Sequence, residues 1–179
     1  MGVSMPDELV PHVDQHDHFL ELVTRAKAYR EGLAHRSVHG LVQNTKGQFL
    51  LQQRSFNKQT WPGKWDLSFG ETVRGMETFE TACERGIKEE LGIDLTGLPA
   101  QPLPIYQQRY FEYEYPPYKV YGVICLYLLT YDGKIALTDG EVAQTAWKTA
   151  SEITDFISNH SEQCTPWLIH DWQYFLKQK

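Results

Sequence analysis

Cysteine is scarce in this chain of 179 residues, and Cys83, Cys125 and Cys164 stand too far apart for CxxC spacing. That pattern excludes a dense disulfide framework. With no secretory pattern at the N-terminus, it predicts reduced thiols and a cytoplasmic location. Long apolar runs are missing too. The stretch VICLYLL has seven residues, which suits a buried strand and falls far short of a membrane span. Positive charge is in deficit: 17 Lys and Arg against 23 Asp and Glu give a net charge of −6 and a pI near 5.6. The balance argues against nucleic acid and acidic membranes as partners, while a small anion needs only a local basic cluster or a metal ion. No repeat, low-complexity tract or long linker divides the chain. What is present is ordinary for a soluble domain, with 41% hydrophobic and 22% charged residues and enough length for a real core.

Residues 36–54 predict a hairpin, two β-rich runs around the turn NTKG, with Gly47 able to take positive φ. Residues 58–70 form a Pro- and Gly-broken loop leading into a short extended piece. Phe79, Cys83, Ile87 and Leu91 repeat every four residues, which predicts a helix over 78–91 with Gly92 as its C-cap. The aromatic and β-branched runs PIYQQRYFEYEY and YKVYGVICLYLLTY flank Pro116–Pro117 and predict an antiparallel pair. VAQTAWKT is a further strand, and Ser151 is expected to cap a short helix carrying Ile153, Phe156 and Ile157. Thr165 and Pro166 open a last helix, with Leu168, Ile169, Trp172, Phe175 and Leu176 as its packing face. Mixed strands with one central helix and a helical C-terminus suit a mixed sheet covered on both faces.

The central helix carries chemistry as well as packing. Positions i, i+3 and i+4 share a helix face, so residues 86, 89 and 90 point into one neighbourhood. The adjacent carboxylates of Glu89 and Glu90 repel each other unless a cation lies between them. Hard oxygen ligands of this kind select Mg²⁺ or Mn²⁺, which also bind substrate phosphates.

The stretch WDLSFGETVRGMETFETACERGIKEELGI resembles the Nudix box, G-x5-E-x7-R-E-U-x-E-E-x-G-U with U an aliphatic residue. Glu77, Arg85, Ile87, Glu89, Glu90, Gly92 and Ile93 match it at the right spacing. The flanks HRSVHGLVQNTKGQFLLQQRSFNKQTWPGKWDLS and GEVAQTAWKTASEI are similar to the isopentenyl-diphosphate-isomerase-like branch, so the resemblance spans roughly residues 35 to 175. It implies an α/β/α sandwich around a mixed sheet. It also implies Mg²⁺- or Mn²⁺-dependent attack of water on a small-molecule diphosphate, such as a nucleoside diphosphate linked to another moiety. On this resemblance Glu89, Glu90 and the carbonyl of Gly70 hold metal, while Glu89 and Glu141 are catalytic. Arg85 orients the carboxylates with help from Glu77, and Arg54 and Lys58 bind the diphosphate. Residues 1–34 are expected to be an extension packed on a domain of residues 35–179, and a homodimer is left open.

Two box positions depart from the pattern. Glu71 stands where the pattern begins with glycine, and Gly86 stands where a metal-binding glutamate is expected. Compensation is expected from Glu141, while the alternating pair Glu112 and Glu114, which face one side of a strand, reads first as a solvent-facing edge and only second as a substitute. Gly86→Glu is expected to restore a carboxylate and raise turnover, with Glu71 the neighbour able to fill the vacated space. Without compensation the chain is a module that binds a nucleotide or diphosphate without turning it over. Isomerase chemistry is disfavoured, because the cysteine and histidine of that branch align with Gly70 and Thr72, and only His35 matches a metal histidine. His12, His16 and His18 are irregularly spaced and are not expected to form a metal site.

Overall fold

The computed structural model describes residues 8–137 and 140–178, without the side chains of Gln107 and Gln108. An N-terminal hairpin, β1 (Leu9–Val13) and β2 (Phe19–Thr24), runs into helix α1 (Arg25–Glu31). Strand β3 (His35–Gln43) then turns into β4 (Phe49–Arg54) through the NTKG turn, where Gly47 adopts φ +78°. After β5 (Trp65–Asp66) and β6 (Phe69–Thr72) comes helix α2 (Phe79–Leu91). The long pair β7 (Leu103–Tyr115) and β8 (Tyr118–Thr130) follows, then β9 (Val142–Lys148), α3 (Ala150–Asn159) and α4 (Pro166–Lys177).

The sheet is mixed. Strand β3 lies parallel to β8 from His35↔Gly122 to Gln43↔Thr130 and antiparallel to β6, with Gly40 opposite Phe69 and Ser37 opposite Thr72. Strand β4 pairs antiparallel with β5 and β9, and β7 with β8. Alternation along the strands divides the core in two. Phe49 and Leu51 of β4, with Ile124 and Leu126 of β8, join Leu168, Trp172 and Phe175 of α4 and Ile153 of α3 on one face. Leu50, Val38, Cys125 and Tyr127 meet Ala82, Cys83, Ile87 and Leu91 of α2 on the other. A sheet apolar on both faces requires this α/β/α layering.

Most element boundaries agree with the sequence reading. Thr78 caps α2 and Gly92 closes it at φ +64°, while Thr165 and Pro166 open α4. One cap is corrected. Thr149, not Ser151, caps α3: its hydroxyl accepts from Glu152 N–H, and the Glu152 carboxylate accepts from Thr149 N–H in return. That reciprocal capping box leaves Ser151 inside the first turn.

Candidate active site

Strand β6 and helix α2 build the site between them. Period-two alternation turns Phe69 and Glu71 of β6 to the same face, and Gly86 of α2 packs against both. A Cβ placed on Gly86 would lie 3.0 Å from Glu71 Cβ and 3.3 Å from Phe69 Cδ2. The start of a side chain at 86 is therefore crowded, and the gain expected from Gly86→Glu requires Glu71 and Phe69 to give way by a few tenths of an ångström.

Four residues after Gly86, on the same helix face, Glu90 is 4% exposed. Its carboxylate accepts from Gln52 Nε2 at 2.9 Å and from Gly70 N–H at 3.2 Å. Burial pushes this carboxyl up to about 8, with Lys58 opposing and Glu71 adding to the rise. Glu89, one residue earlier and about 100° around the helix, is partly exposed. It meets Arg74 at 3.2 Å and Arg85 at 3.4 Å. The two glutamates thus leave the helix in different directions, one inward and one outward.

Arg85 ties the region together. Its Nε and Nη2 grip the two oxygens of Glu77 at 3.0 and 2.9 Å, and Nη2 also donates to Thr72 O at 2.8 Å. Its Nη1 reaches Glu71 Oε2 at 2.5 Å, the same nitrogen that meets Glu89. Burial raises the Glu71 carboxyl, and Arg85 and Arg74 only partly offset that rise. For Glu77 burial also opposes ionisation, but the Arg85 hydrogen bonds outweigh it and the net direction is down. The expected Glu77–Arg85 bond is present, and the same guanidinium contacts Glu71 and Glu89.

A cavity of about 390 Å³ opens beside these groups, lined by Gly70, Glu71 and Thr72 of β6, His39 of β3, the loop 54–60, Glu141, Trp167, and Arg25 and Tyr29 of α1. Lys58 forms an ion pair with Glu141 across it. Burial raises the Glu141 carboxyl, but Lys58 more than offsets this and holds it below its ordinary range. Arg54 lines the cavity too, yet its donors go to Thr60 O at 2.9 Å, Trp61 O at 3.2 Å and Asp66 at 3.2 Å. It therefore also holds the loop that the sequence reading expected it to flank as a phosphate ligand.

Two features were not foreseen, one in the cavity wall and one bonded to that wall through His39. Arg25 opens α1, packs over Tyr29 with 5.4 Å to the ring centroid, and has a buried Nε without a hydrogen-bond partner among the described residues. No local motif marks it, because only the fold brings α1 to β6. The second is buried Asp171 of α4, whose Oδ2 lies 2.6 Å from His39 Nδ1. Its Oδ1 accepts from Tyr106 OH at 2.5 Å and Arg109 Nη2 at 2.8 Å. An acidic residue on the apolar face of α4, between Leu168 and Trp172, was the available signal.

Other candidates lie elsewhere. Glu112 and Glu114 are exposed and accept from Tyr110 OH and Tyr121 OH at 2.9 and 2.7 Å, so they do not compensate for Gly86 inside the cavity. His35 is fully buried and its pKa is lowered to about 4 by that burial, which keeps it neutral. His12 belongs to β1, while His16 and His18 belong to a turn whose backbone N–H groups donate to Asp14.

The NUDIX domain profile matches residues 33–168, most of the chain. The chain belongs to the Nudix family. It is 28% identical over 175 residues to isopentenyl-diphosphate Delta-isomerase 1 of Photorhabdus laumondii, covering 95% of this chain and 96% of that one. It is 30% identical over 147 residues to an uncharacterized Nudix hydrolase of Yersinia pestis, covering 82% and 76% of the two chains. The crystal structure of DR0079 from Deinococcus radiodurans superposes with a TM-score of 0.77 at 22% identity over 93% of this chain and 98% of that one, which shows the shared fold. Nudix proteins generally use divalent metal ions. Among the described residues no three His, Cys, Asp or Glu side chains converge as a ready cage, and Arg74 and Arg85 each pair with both Glu71 and Glu89. The donors nevertheless suit a hard cation. Glu90 is a carboxylate buried against its charge, and Gln52 Oε1 beside it is buried without a hydrogen-bond partner.

Proposed function

We propose that this Nudix protein hydrolyses the diphosphate linkage of a small molecule with the help of Mg²⁺ or Mn²⁺. The observation that carries this reading is the cavity itself, which sets Glu71 and Glu141 against Arg25 and Lys58 with the Glu90–Gly70 bond at its edge. A diphosphate needs cations on its oxygens and a positioned base for the attacking water, and both kinds of group line one space. Glu90 and Glu89 would hold the metal beside the Gly70 backbone. When bound, the ion neutralises phosphate charge and lowers the pKa of a coordinated water. Arg25 and Lys58 bind the non-bridging oxygens. Glu141, kept ionised by Lys58, takes the proton from water as the P–O anhydride bond breaks and the leaving phosphate departs. Arg85 holds Glu71, Glu77 and Glu89 in place.

The likeness to an isopentenyl-diphosphate isomerase supports recognition of a diphosphate more than isomerisation. The position aligned with that branch's cysteine is Gly70, and Cys83, Cys125 and Cys164 are all buried away from the cavity lining. The test is release of products from a panel of nucleoside diphosphate conjugates and prenyl diphosphates with Mg²⁺ or Mn²⁺. Turnover is expected, with KM raised at least tenfold in Arg25→Met and Lys58→Ala. Tight binding of the same panel without turnover would select a non-hydrolytic binding module instead, and proton exchange at isopentenyl diphosphate would select the isomerase.

A further inference from the structure

The two departures from the box meet in space. Glycine and glutamate have exchanged places between position 71 on β6 and position 86 on α2, and the two residues face each other. The Cβ that Gly86 lacks would lie 3.0 Å from Glu71 Cβ and 3.6 Å from Glu71 Cγ, so Glu71 crowds the point from which a glutamate at 86 would leave the helix. Its carboxylate is not lost to solvent: the Glu71 side chain is 11% exposed, and Oε2 shares Arg85 Nη1 with Glu89 Oε2. Arg74 Nη2 bridges the same two oxygens at 3.4 and 3.2 Å. One residue along β6, the Gly70 N–H is bound to Glu90. Glu71 therefore has Glu90 on one side and Glu89 on the other. Gln52 Oε1 beside Glu90 is a separate, buried oxygen with no hydrogen-bond donor among the described residues.

We propose that Glu71 supplies, from the strand, the metal-binding carboxylate that Gly86 withholds from the helix, so that the centre uses Glu71, Glu89 and Glu90. This rests on the hydrolase reading above. It explains both departures together, since glutamate at both positions crowds one contact and glycine at both leaves a carboxylate missing. It also gives the glycine a reason: in mid-helix it costs about 1 kcal/mol relative to alanine, and here even an alanine methyl would press on Glu71.

The test uses Mn²⁺ alone, followed by electron paramagnetic resonance and by the melting temperature in EDTA and in Mn²⁺. The proteins are wild type, Glu71→Gln, Gly86→Glu and the exchange Glu71→Gly/Gly86→Glu. Glu71→Gln is expected to lose roughly 10- to 100-fold in Mn²⁺ affinity and the stabilisation that Mn²⁺ gives. A purely structural ion pair to Arg85 would instead lower both melting temperatures equally. Gly86→Glu alone should melt lower than wild type, and the exchange should recover both stability and Mn²⁺ affinity. Wild-type affinity in Glu71→Gln, or a folded exchange variant without affinity, overturns the role of Glu71 while wild-type turnover leaves the hydrolase reading standing. A wild type that takes up no Mn²⁺ at millimolar concentration overturns both.

Discussion

Replacing Asp171 with asparagine removes a charge and almost nothing else. In the wild type the carboxylate, fully buried, lies between His39 Nδ1, Tyr106 OH and Arg109 Nη2 at 2.6, 2.5 and 2.8 Å. An amide has one acceptor oxygen, so at least one of these donors would face an N–H group, and the Arg109 cation would lose its counter-charge. Breaking a buried pair in this way costs about 3–5 kcal/mol. With roughly 2–4 °C per kcal/mol for a chain of this size, Tm should fall by about 6–20 °C. Burial opposes ionisation of Asp171, but His39, Arg109 and Tyr106 outweigh it, and its pKa is lowered from 3.8. The sign follows: a depressed carboxyl gives stability that is present above its unfolded pKa and lost as pH falls through the folded one. Urea unfolding followed by tryptophan fluorescence should therefore show a large gap between wild type and Asp171→Asn at pH 7, narrowing below about pH 4. A gap under about 1 kcal/mol at pH 7 would refute the assigned role of this network in joining α4 to β3 and β7.

Glu90 behaves in the opposite sense. With its pKa raised from 4.5 to about 8, its contribution is complete below the unfolded value and is lost as pH rises through the folded one. In EDTA, stability should fall by on the order of 3–5 kcal/mol between about pH 5 and 8.5, and Glu90→Gln should flatten that slope; parallel urea profiles for the two proteins would rule this out. Thr149→Ala should cost about 1 kcal/mol and Ser151→Ala under about 0.5 kcal/mol, as read by thermal melts, and equal losses would return the α3 cap to doubt.

Regular, locally coded features were legible in the sequence. The four-residue spacing of Phe79, Cys83, Ile87 and Leu91 defined α2, and the Thr165–Pro166 pair marked the start of α4. The cap of α3 was misplaced because Ser151 and Thr149 are both good N-caps, and the Glu152 side chain decides between them. Strands β1 and β2 escaped notice because β1 is short and carries a proline, with Val10, Pro11 and Val13 buried, and β2 buries only Val23. In the site, the Glu77–Arg85 bond joins positions two helical turns apart and could be read from the box. His39 and Asp171 are 132 positions apart, and no local pattern encodes that meeting. Glu71 could be named from the sequence as a neighbour able to fill the space at Gly86, but the contact itself exists only where β6 lies against α2.

The N-terminal hairpin and α1 are stitched to the box loop, with Gly75 N–H donating to Leu9 O at 2.7 Å, Arg25 N–H to Glu8 O at 2.8 Å, and Arg74 paired with Glu8. Through those stitches Arg25 and Tyr29 reach the cavity wall, although the family match begins only at residue 33. The part of the cavity wall formed by Arg25 and Tyr29 is thus encoded ahead of the family match, and α2 lies within it. Exchange of the first thirty or so residues (roughly the stretch before the match) would re-clothe one side of the cavity while α2 kept its carboxylates. On the hydrolase reading proposed above, substrate preference can drift by such an exchange while the groups assigned to hydrolysis stay in place.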